Sequence, residues 1–178
     1  LPMSEIQKRL DVAAELHPES KTLGDFRANK RLVKDETEAI AHSRRLITTH
    51  TAIADLYPEK TTLLDWHLPS KTEANRPVND KPTIVFPAST VGRKGCYELR
   101  EAIRGLGVRL ITLGPYIESQ DFWEGFDAVR GSDDWMAKAD LVVLPAFIEH
   151  RPRRLLMAAA SGIPVIASEE CGVSSVAG

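Results

Sequence analysis

The sequence predicts an α/β fold built on an open parallel β-sheet with helices on both faces. After Pro82, apolar and β-rich runs alternate with segments whose apolar residues recur at helical spacing. The runs are apolar at successive positions, which is typical of parallel strands covered on both faces. With 43% hydrophobic residues among 178, the chain also has enough apolar material for a sizeable core. Together these observations favour a Rossmann-like sheet.

Residues 1–69 are predicted to be a charged, helical segment with short strands. Two stretches show apolar residues at helical spacing, and Pro58 stops a third, shorter helix. The predicted elements are helices around 6–14, 32–41 and 51–57 and strands at 46–49 and 61–66. Residues 70–81 hold prolines, asparagines and charges but few apolar residues, so they are predicted to form a linker.

Residues 82–178 carry the predicted Rossmann-like sheet. Strands are predicted at 83–87, 108–114, 140–145 and 163–168, and helices at 97–106, 121–129, 133–139 and 153–161. Ser132 is the expected N-cap of the third of these helices, and Gly107 and Gly162 are expected to end the first and the last. Because ligands of such sheets bind beyond the carboxyl ends of the strands, the loops there are the candidate site.

Composition excludes several classes of function. The 23 Lys and Arg against 25 Asp and Glu give a net charge of -2, without the basic excess of a nucleic-acid-binding protein. No apolar run reaches the roughly 20 residues of a membrane helix, and no signal peptide is recognisable. We therefore expect a cytoplasmic protein, with peripheral attachment to a membrane as the alternative. Only Cys96 and Cys171 are present, which argues against a disulfide scaffold or a structural zinc site. Cys96 lies beside Lys94 at a predicted helix start, where a thiol pKa can be lowered.

The loop after the first strand of the sheet, residues 88–95, is a candidate phosphate site. It carries Arg93 and Lys94 between Gly92 and Gly95 and runs directly into a helix. Helix N-termini attract anions through free backbone N–H groups and the positive end of the dipole. The loop does not match a Walker A motif, and G-x-G-x-x-G is absent, which argues against an NAD or FAD site. The alternative is a solvated basic loop in which glycine serves only the turn.

The loop after the third strand, residues 145–152, also opens a helix, and it carries Glu149. This carboxylate could accept hydrogen bonds from ligand hydroxyls, or it could act only as a helix-start charge worth about 0.3–1 kcal/mol. Arg151, Arg153 and Arg154 could bind phosphate or simply face water.

Several short motifs between residues 83 and 172 follow one another in a recurring order. They are Lys94-Gly95, Ala102, Ala139-Asp140, Leu144-Pro145, Glu149, Ala158-Ala159-Ala160, Gly162-Ile163-Pro164-Val165-Ile166-Ala167 and Gly172. In this order they resemble the nucleotide-sugar-binding domain of the retaining GT-B glycosyltransferases of the family-4 type (group 1). Residues 45–68 resemble, more loosely, the end of the acceptor-side domain that precedes it in that family.

This resemblance implies a glycosyltransferase that moves a sugar from a nucleotide-diphosphate sugar to a glycan or lipid acceptor, with retention and without metal or cofactor. Lys94 and the helix N-terminus behind Gly95 would stabilise the leaving diphosphate, and Glu149 would hydrogen-bond and place the donor sugar. The resemblance further implies donor contacts from Ser89, Gly92, Arg93, Gly95, His150 and Met157.

Two positions depart from the family pattern. Met157 stands where the family has a second Glu that usually bonds the donor ribose, and Ser89 stands where it has an Arg that helps to hold the diphosphate. The closing helices and most of the acceptor domain of that family are also missing, so we expect either a fragment of a longer protein or a chain that cannot catalyse transfer by itself. The alternative is a catalytically degenerate module for nucleotide-sugar binding or assembly. A nucleotide-sugar epimerase is a third interpretation, but no residue of this sequence is distinctive of that class of enzyme.

Overall fold

The structure is a computed structural model that describes residues 1–71 and 78–176. Its N-terminal part is largely helical, as predicted, with two short strands that pair in parallel. The elements are helix α1 (Met3–Leu16), helix α2 (Lys30–His42), strand β1 (Leu46–Thr48), helix α3 (Thr51–Leu56) and strand β2 (Thr61–Leu63). Within the described ranges, no helix has the length and apolar character needed to cross a membrane.

The rest of the described chain forms a five-stranded parallel sheet flanked by helices, which confirms the predicted fold class. Its strands are β3 (Thr83–Phe86), β4 (Arg109–Thr112), β5 (Ala128–Arg130), β6 (Leu141–Leu144) and β7 (Val165–Ala167). Its helices are α4 (Cys96–Ala102), α5 (Trp135–Lys138) and α6 (Arg153–Ala160). All four residues of β3 are buried, as expected for a central strand with helices on both faces.

In the strand order β5-β4-β3-β6-β7, the chain adds strands first on one side of β3 and then on the other, while all strands stay parallel. From β3 the chain adds β4 and β5 on one side, and it then returns to add β6 and β7 on the other side. The crevice between the carboxyl ends of β3 and β6 is therefore the topological switch point, where ligands of open α/β sheets bind. The two loops singled out in the sequence follow these two strands.

The predicted helix at 121–129 is wrong. The segment turns at Gly125, whose φ of 82° lies outside the helical region, and then forms the edge strand β5. Phe122 and Trp123 are buried, and Trp123 packs edge-on against Phe86 of the central strand. Core packing of these aromatic rings, followed by pairing with β4, overrides the helical spacing of the apolar residues.

Two details at helix ends also differ from the prediction. Helix α4 ends at Ala102, several residues before Gly107, because the chain turns through Gly105, which has a φ of 75°. Ser132 does not cap helix α5 through its side chain. The N-cap is Asp134, and the Ser132 hydroxyl donates to the carboxylate of Asp134 instead.

The predicted linker, 70–81, lies partly outside the described residues, which omit 72–77. In its remainder, Asn79 donates to the Asp140 carboxylate at 2.8 Å, and Lys81 pairs with Asp127 at 2.9 Å. The proposed division into domains stays a prediction. The N-terminal part contacts the sheet region elsewhere, through a small core of Leu10, Ala13 and Leu23 that packs against Ile6, Ala14, Phe26, Phe147 and Ile148.

Candidate functional site

The two predicted loops meet at the switch point and are joined by backbone hydrogen bonds. The carbonyl of Arg93 accepts from the amides of Phe147 at 3.1 Å and Ile148 at 3.3 Å. The Lys94 ammonium then donates to the carbonyl of Ile148 at 3.0 Å and to the carboxylate of Glu149 at 2.9 Å. The structure therefore brings the predicted cation and the predicted carboxylate into direct contact.

Gly95 makes this approach possible. Its φ of 75° places it in the left-handed region that favours glycine. A Cβ atom at this position would also overlap the backbone carbonyl of Pro145, the first residue after β6. Only a glycine therefore allows the loop after β3 to lie against the backbone of the loop after β6.

Glu149 is a well-satisfied, nearly buried carboxylate. Its side chain is 10% exposed, and one oxygen accepts from the amides of His150 and Arg151, both at 2.8 Å. The other oxygen accepts from Lys94. Burial alone would raise the pKa of Glu149, but the Arg151 amide, the Lys94 ammonium and the His150 amide together hold it below its ordinary value. Glu149 is thus an anion near neutral pH, able to accept hydrogen bonds but not to donate one.

A cleft of about 360 Å³ opens beside this pair, between the loop after β3 and the start of helix α6. Its walls are Pro87, Leu144, Glu149, Arg151, Pro152, Arg153, Arg154, Leu155 and Met157. A guanidinium N–H of Arg154 donates to the carbonyl of Pro87 at 2.9 Å, so this side chain crosses from helix α6 to the end of β3. A second cleft of about 420 Å³ shares Arg151, Arg153 and Met157 with the first and is otherwise formed by the N-terminal part, including Trp66 and His67.

The other residues that were predicted to contact the donor differ in exposure and in their position relative to this cleft. Met157 lines it, half-buried, and Ser89 lies half-buried two residues beyond Pro87. The side chains of Arg93 and His150 are exposed, and that of His150 stands 4.0 Å from the Glu149 carboxylate.

Gly92 does not offer its amide to a ligand. Its N–H is donated to the carboxylate of Glu118 at 2.8 Å and to the hydroxyl of Thr22 at 3.0 Å. A Cβ atom on Gly92 would also press into the side chain of Leu23. This glycine therefore serves contact with the N-terminal part, and its predicted contact with the donor stays a prediction.

Comparison with known proteins identifies relatives of this arrangement. Over 107 residues the chain is 31% identical to TuaC of Bacillus subtilis (strain 168), which bears the provisional name of a teichuronic acid biosynthesis glycosyltransferase. Among solved structures, the lipopolysaccharide outer core galactosyltransferase WaaB matches 79% of the chain with a TM-score of 0.62 and 16% identity. Sucrose-phosphate synthase from Thermosynechococcus elongatus matches 84% of it with the same score and identity.

The chain has a GT-B-type fold and is related to glycosyltransferases.

The match covers part of each relative. The GT-B-type chain spans 28% of the length of TuaC and 46% of both WaaB and the sucrose-phosphate synthase. Anabaena HepE, whose structure holds UDP and glucose, matches 82% of the chain and 49% of its own length, with a TM-score of 0.54 and 16% identity. No protein-family model matches the chain.

Sequence reasoning missed two buried residues that support the GT-B-type site. His50 follows β1, and its Nε2–H donates to the carbonyl of Glu149 at 2.8 Å, which ties the N-terminal part to the carboxylate loop. Glu118, 3% exposed, accepts from Gly92 and from the hydroxyl of Tyr97 at 3.0 Å. A polar residue that becomes buried through a distant contact leaves no local pattern in the sequence, so neither residue could be found from spacing.

Cys96 carries no reactive thiolate. It is fully buried at the start of helix α4, and burial, reinforced by the nearby carboxylates of Glu118 and Glu98, raises the pKa of its thiol. The expectation of a lowered pKa is therefore wrong. Within residues 1–71 and 78–176, no group of His, Cys, Asp and Glu side chains is placed to hold a metal ion.

Proposed function

We propose that the chain is the donor-binding part of a retaining glycosyltransferase of the family-4 type, which uses a nucleotide-diphosphate sugar. One observation carries this proposal: Lys94 and Glu149 meet at the switch point of the sheet, beside a cleft bounded by the ends of β3 and β6. A fixed cation next to a fixed hydrogen-bond acceptor is what a donor with a charged diphosphate and a hydroxylated sugar requires. The similarity to TuaC supports the same class of reaction.

In the proposed reaction, the bond between the anomeric carbon and the diphosphate oxygen breaks, and the diphosphate leaves with the electron pair. The acceptor hydroxyl forms the new bond to the anomeric carbon on the face that the diphosphate leaves, and its proton passes to the departing diphosphate oxygen. Negative charge grows on the diphosphate, so Lys94 stabilises the transition state more than the ground state. Two of the three ammonium N–H groups are engaged by Ile148 and Glu149, which leaves a third for a phosphate oxygen.

Glu149 has the complementary role in this proposal. Its carboxylate remains anionic and is held by two backbone amides, so it can accept hydrogen bonds from sugar hydroxyls and orient the anomeric carbon. The reaction as proposed needs no metal and no cofactor. The acceptor is a glycan or a lipid, and the placement in the cytoplasm or at a membrane surface stays a prediction.

Titration calorimetry with UDP, GDP, ADP and their sugars tests the proposal. The native chain should bind one nucleotide class, and Lys94→Ala should weaken that binding roughly tenfold to a hundredfold, because a charge-assisted hydrogen bond to phosphate is lost. Lys34→Ala is the matched control, because Lys34 is an exposed lysine of helix α2. Unchanged affinity in Lys94→Ala, or silence of the native chain with all nucleotides, would contradict the proposal.

A second candidate function is a degenerate module that binds a nucleotide sugar without transferring it. The observation that favours it is Met157, which lines the cleft where a ribose-binding carboxylate is expected. A thioether is only a weak hydrogen-bond acceptor and cannot hold two ribose hydroxyls. Release of free nucleotide from the donor over time separates the two candidates. Turnover that depends on Lys94 supports the transferase, whereas tight binding without turnover supports the module.

A further inference from the structure

We propose that Arg154 binds the diphosphate of the nucleotide donor, as a cation supplied by helix α6 rather than by the loop after β3. This inference rests on the proposed function and adds a residue to it. Arg154 is the second residue of helix α6, which starts beyond the carboxyl end of β6. Its guanidinium reaches the carbonyl of Pro87 at the end of β3 and lines the cleft. It therefore spans the switch point from one side to the other.

The charges around the cleft show why a further cation is needed. The ammonium of Lys94 is 2.9 Å from the carboxylate of Glu149, so this pair carries no net charge toward a ligand. A nucleoside diphosphate carries at least two negative charges at neutral pH. The side chain of Ser89, in the loop after Pro87, supplies none to balance them. Lys94 alone therefore leaves most of the diphosphate charge uncompensated.

The positive charges that line the cleft come from the end of the loop after β6 and from the first two residues of helix α6. They belong to Arg151, Arg153 and Arg154, and no carboxylate within the described residues forms an ion pair with any of the three. Every other wall residue of the cleft is apolar except Glu149. A concave site with three unpaired guanidinium groups and one neutralised ion pair favours an anionic ligand over a neutral one.

Arg154 is distinguished from its two neighbours by its fixed direction. The Pro87 carbonyl takes one of the five guanidinium N–H donors, and four remain for a ligand. A guanidinium presents these donors as a planar fork that matches two phosphate oxygens at once. Arg153 also borders the second cleft, and no hydrogen bond within the described chain holds the guanidinium of Arg151 or Arg153 toward the end of β3. The fork of Arg154 is thus the one directed across the crevice.

A purely structural role for Arg154 is the competing explanation. In that case the side chain would only tie helix α6 to the loop after β3, and its removal would affect stability and all ligands alike. Calorimetric titration with the responding nucleoside diphosphate and with the corresponding monophosphate separates the two roles. Both ligands share base and ribose, so the difference between their affinities isolates the second phosphate.

We expect Arg154→Gln to weaken binding of the diphosphate roughly tenfold or more, and binding of the monophosphate much less. Arg154→Lys keeps the charge but loses the fork, and it should fall between native and Gln. Arg31→Gln is the control, because Arg31 is an exposed arginine on helix α2. If the Gln variant does not fold, as judged by its thermal melt, the Lys variant decides by the same ratio of the two affinities.

Each result has a defined meaning. If Arg154→Gln keeps a diphosphate affinity within twofold of native, while Lys94→Ala still weakens binding about tenfold or more, the role of Arg154 is overturned and the proposed function is left intact. An equal loss for both ligands together with a lowered melting temperature would show the structural role and would also overturn it. Silence of the native chain with every nucleotide would overturn the proposed function and this inference together.

Discussion

Two carboxylates with little exposure, Glu118 and Glu149, are held in opposite ways. Within the described parts of the chain, Glu118 accepts only from neutral donors, namely the amides of Lys21 and Gly92 and the hydroxyls of Ser20, Thr22 and Tyr97. Glu149 accepts from two amides and from the ammonium of Lys94, and it lines an open cleft. Both carboxylates have pKa values below the ordinary value, because hydrogen bonds outweigh the effect of burial.

The difference separates a structural carboxylate from one that can serve a ligand. All the donors around Glu118 are fixed parts of the fold, and they come from the N-terminal part, the loop before Gly95 and helix α4. An incoming ligand has no place among them. Glu149 instead gives its second oxygen to an ammonium that keeps one N–H group for a further acceptor, and it lines an open cleft. Burial and a lowered pKa alone thus do not separate the proposed ligand-binding carboxylate from the structural one, whereas the neighbouring ammonium and the cleft do.

We expect the largest effect on stability from a substitution at Gly95, which allows the loop after β3 to lie against the loop that carries Glu149. Gly95→Ala combines a left-handed backbone with overlap on the Pro145 carbonyl, so we expect a loss of about 3–4 kcal/mol in the free energy of unfolding. Gly105→Ala is the matched control, because Gly105 has the same φ of 75° but open space around its Cβ position. It should cost about 1 kcal/mol. Urea denaturation measures both, and equal losses would contradict the close approach.

On the Glu118 side, Glu118→Ala should cost about 3 kcal/mol, since it leaves the buried hydroxyls of Thr22 and Tyr97 without their acceptor. Glu118→Gln keeps the shape and one acceptor oxygen and should lose less. Nucleotide affinity per folded molecule should stay near native in the Gln variant, as measured by calorimetry. If Glu118→Gln removed nucleotide binding while the chain stayed folded, the contrast between the two carboxylates would be wrong.

The smallest effect is a pH dependence shared by both sites. A carboxylate whose pKa is lowered in the folded state stabilises the fold fully above its unfolded pKa, and this stabilisation is lost as the pH falls. For Glu118 and Glu149 the loss should begin below the ordinary value of 4.5. Urea midpoints between pH 7 and pH 3 should therefore fall less steeply for Glu118→Gln than for the native chain. Parallel curves would show that Glu118 contributes nothing to the acid sensitivity.

The fold was predictable largely because its central strands are continuous apolar runs. Residues 83–87 and 140–145 could be assigned as strands from composition alone, and the loops after them could be chosen as candidate sites, whereas the switch point is known only from the strand order of the structure. Strand β5 could not be found from the sequence. Its three residues include an exposed Val129, and they follow a segment whose apolar residues recur at helical spacing. Short edge strands depend on pairing with a neighbour more than on their own sequence.

The candidate site was predictable in its charges but not in its connections. Lys94 and Glu149 could be chosen from their places after β3 and β6. The direction of the Gly92 amide could not, because its acceptor, Glu118, lies 26 positions away in sequence. The same holds for Arg154, whose target, Pro87, is 67 positions earlier. Contacts of this kind depend on the packed loops and leave no periodic signal.

The bond between Arg154 and the Pro87 carbonyl has a consequence for how a ligand would be received. This bond and the close contact of Gly95 with Pro145 fix the distance between the carboxyl ends of β3 and β6. The width of the crevice is therefore set before any ligand binds. Such preorganisation lowers the entropic cost that the protein bears on association, so affinity would be limited by the ligand's own loss of freedom. Binding should then proceed with little rearrangement of the backbone around the cleft.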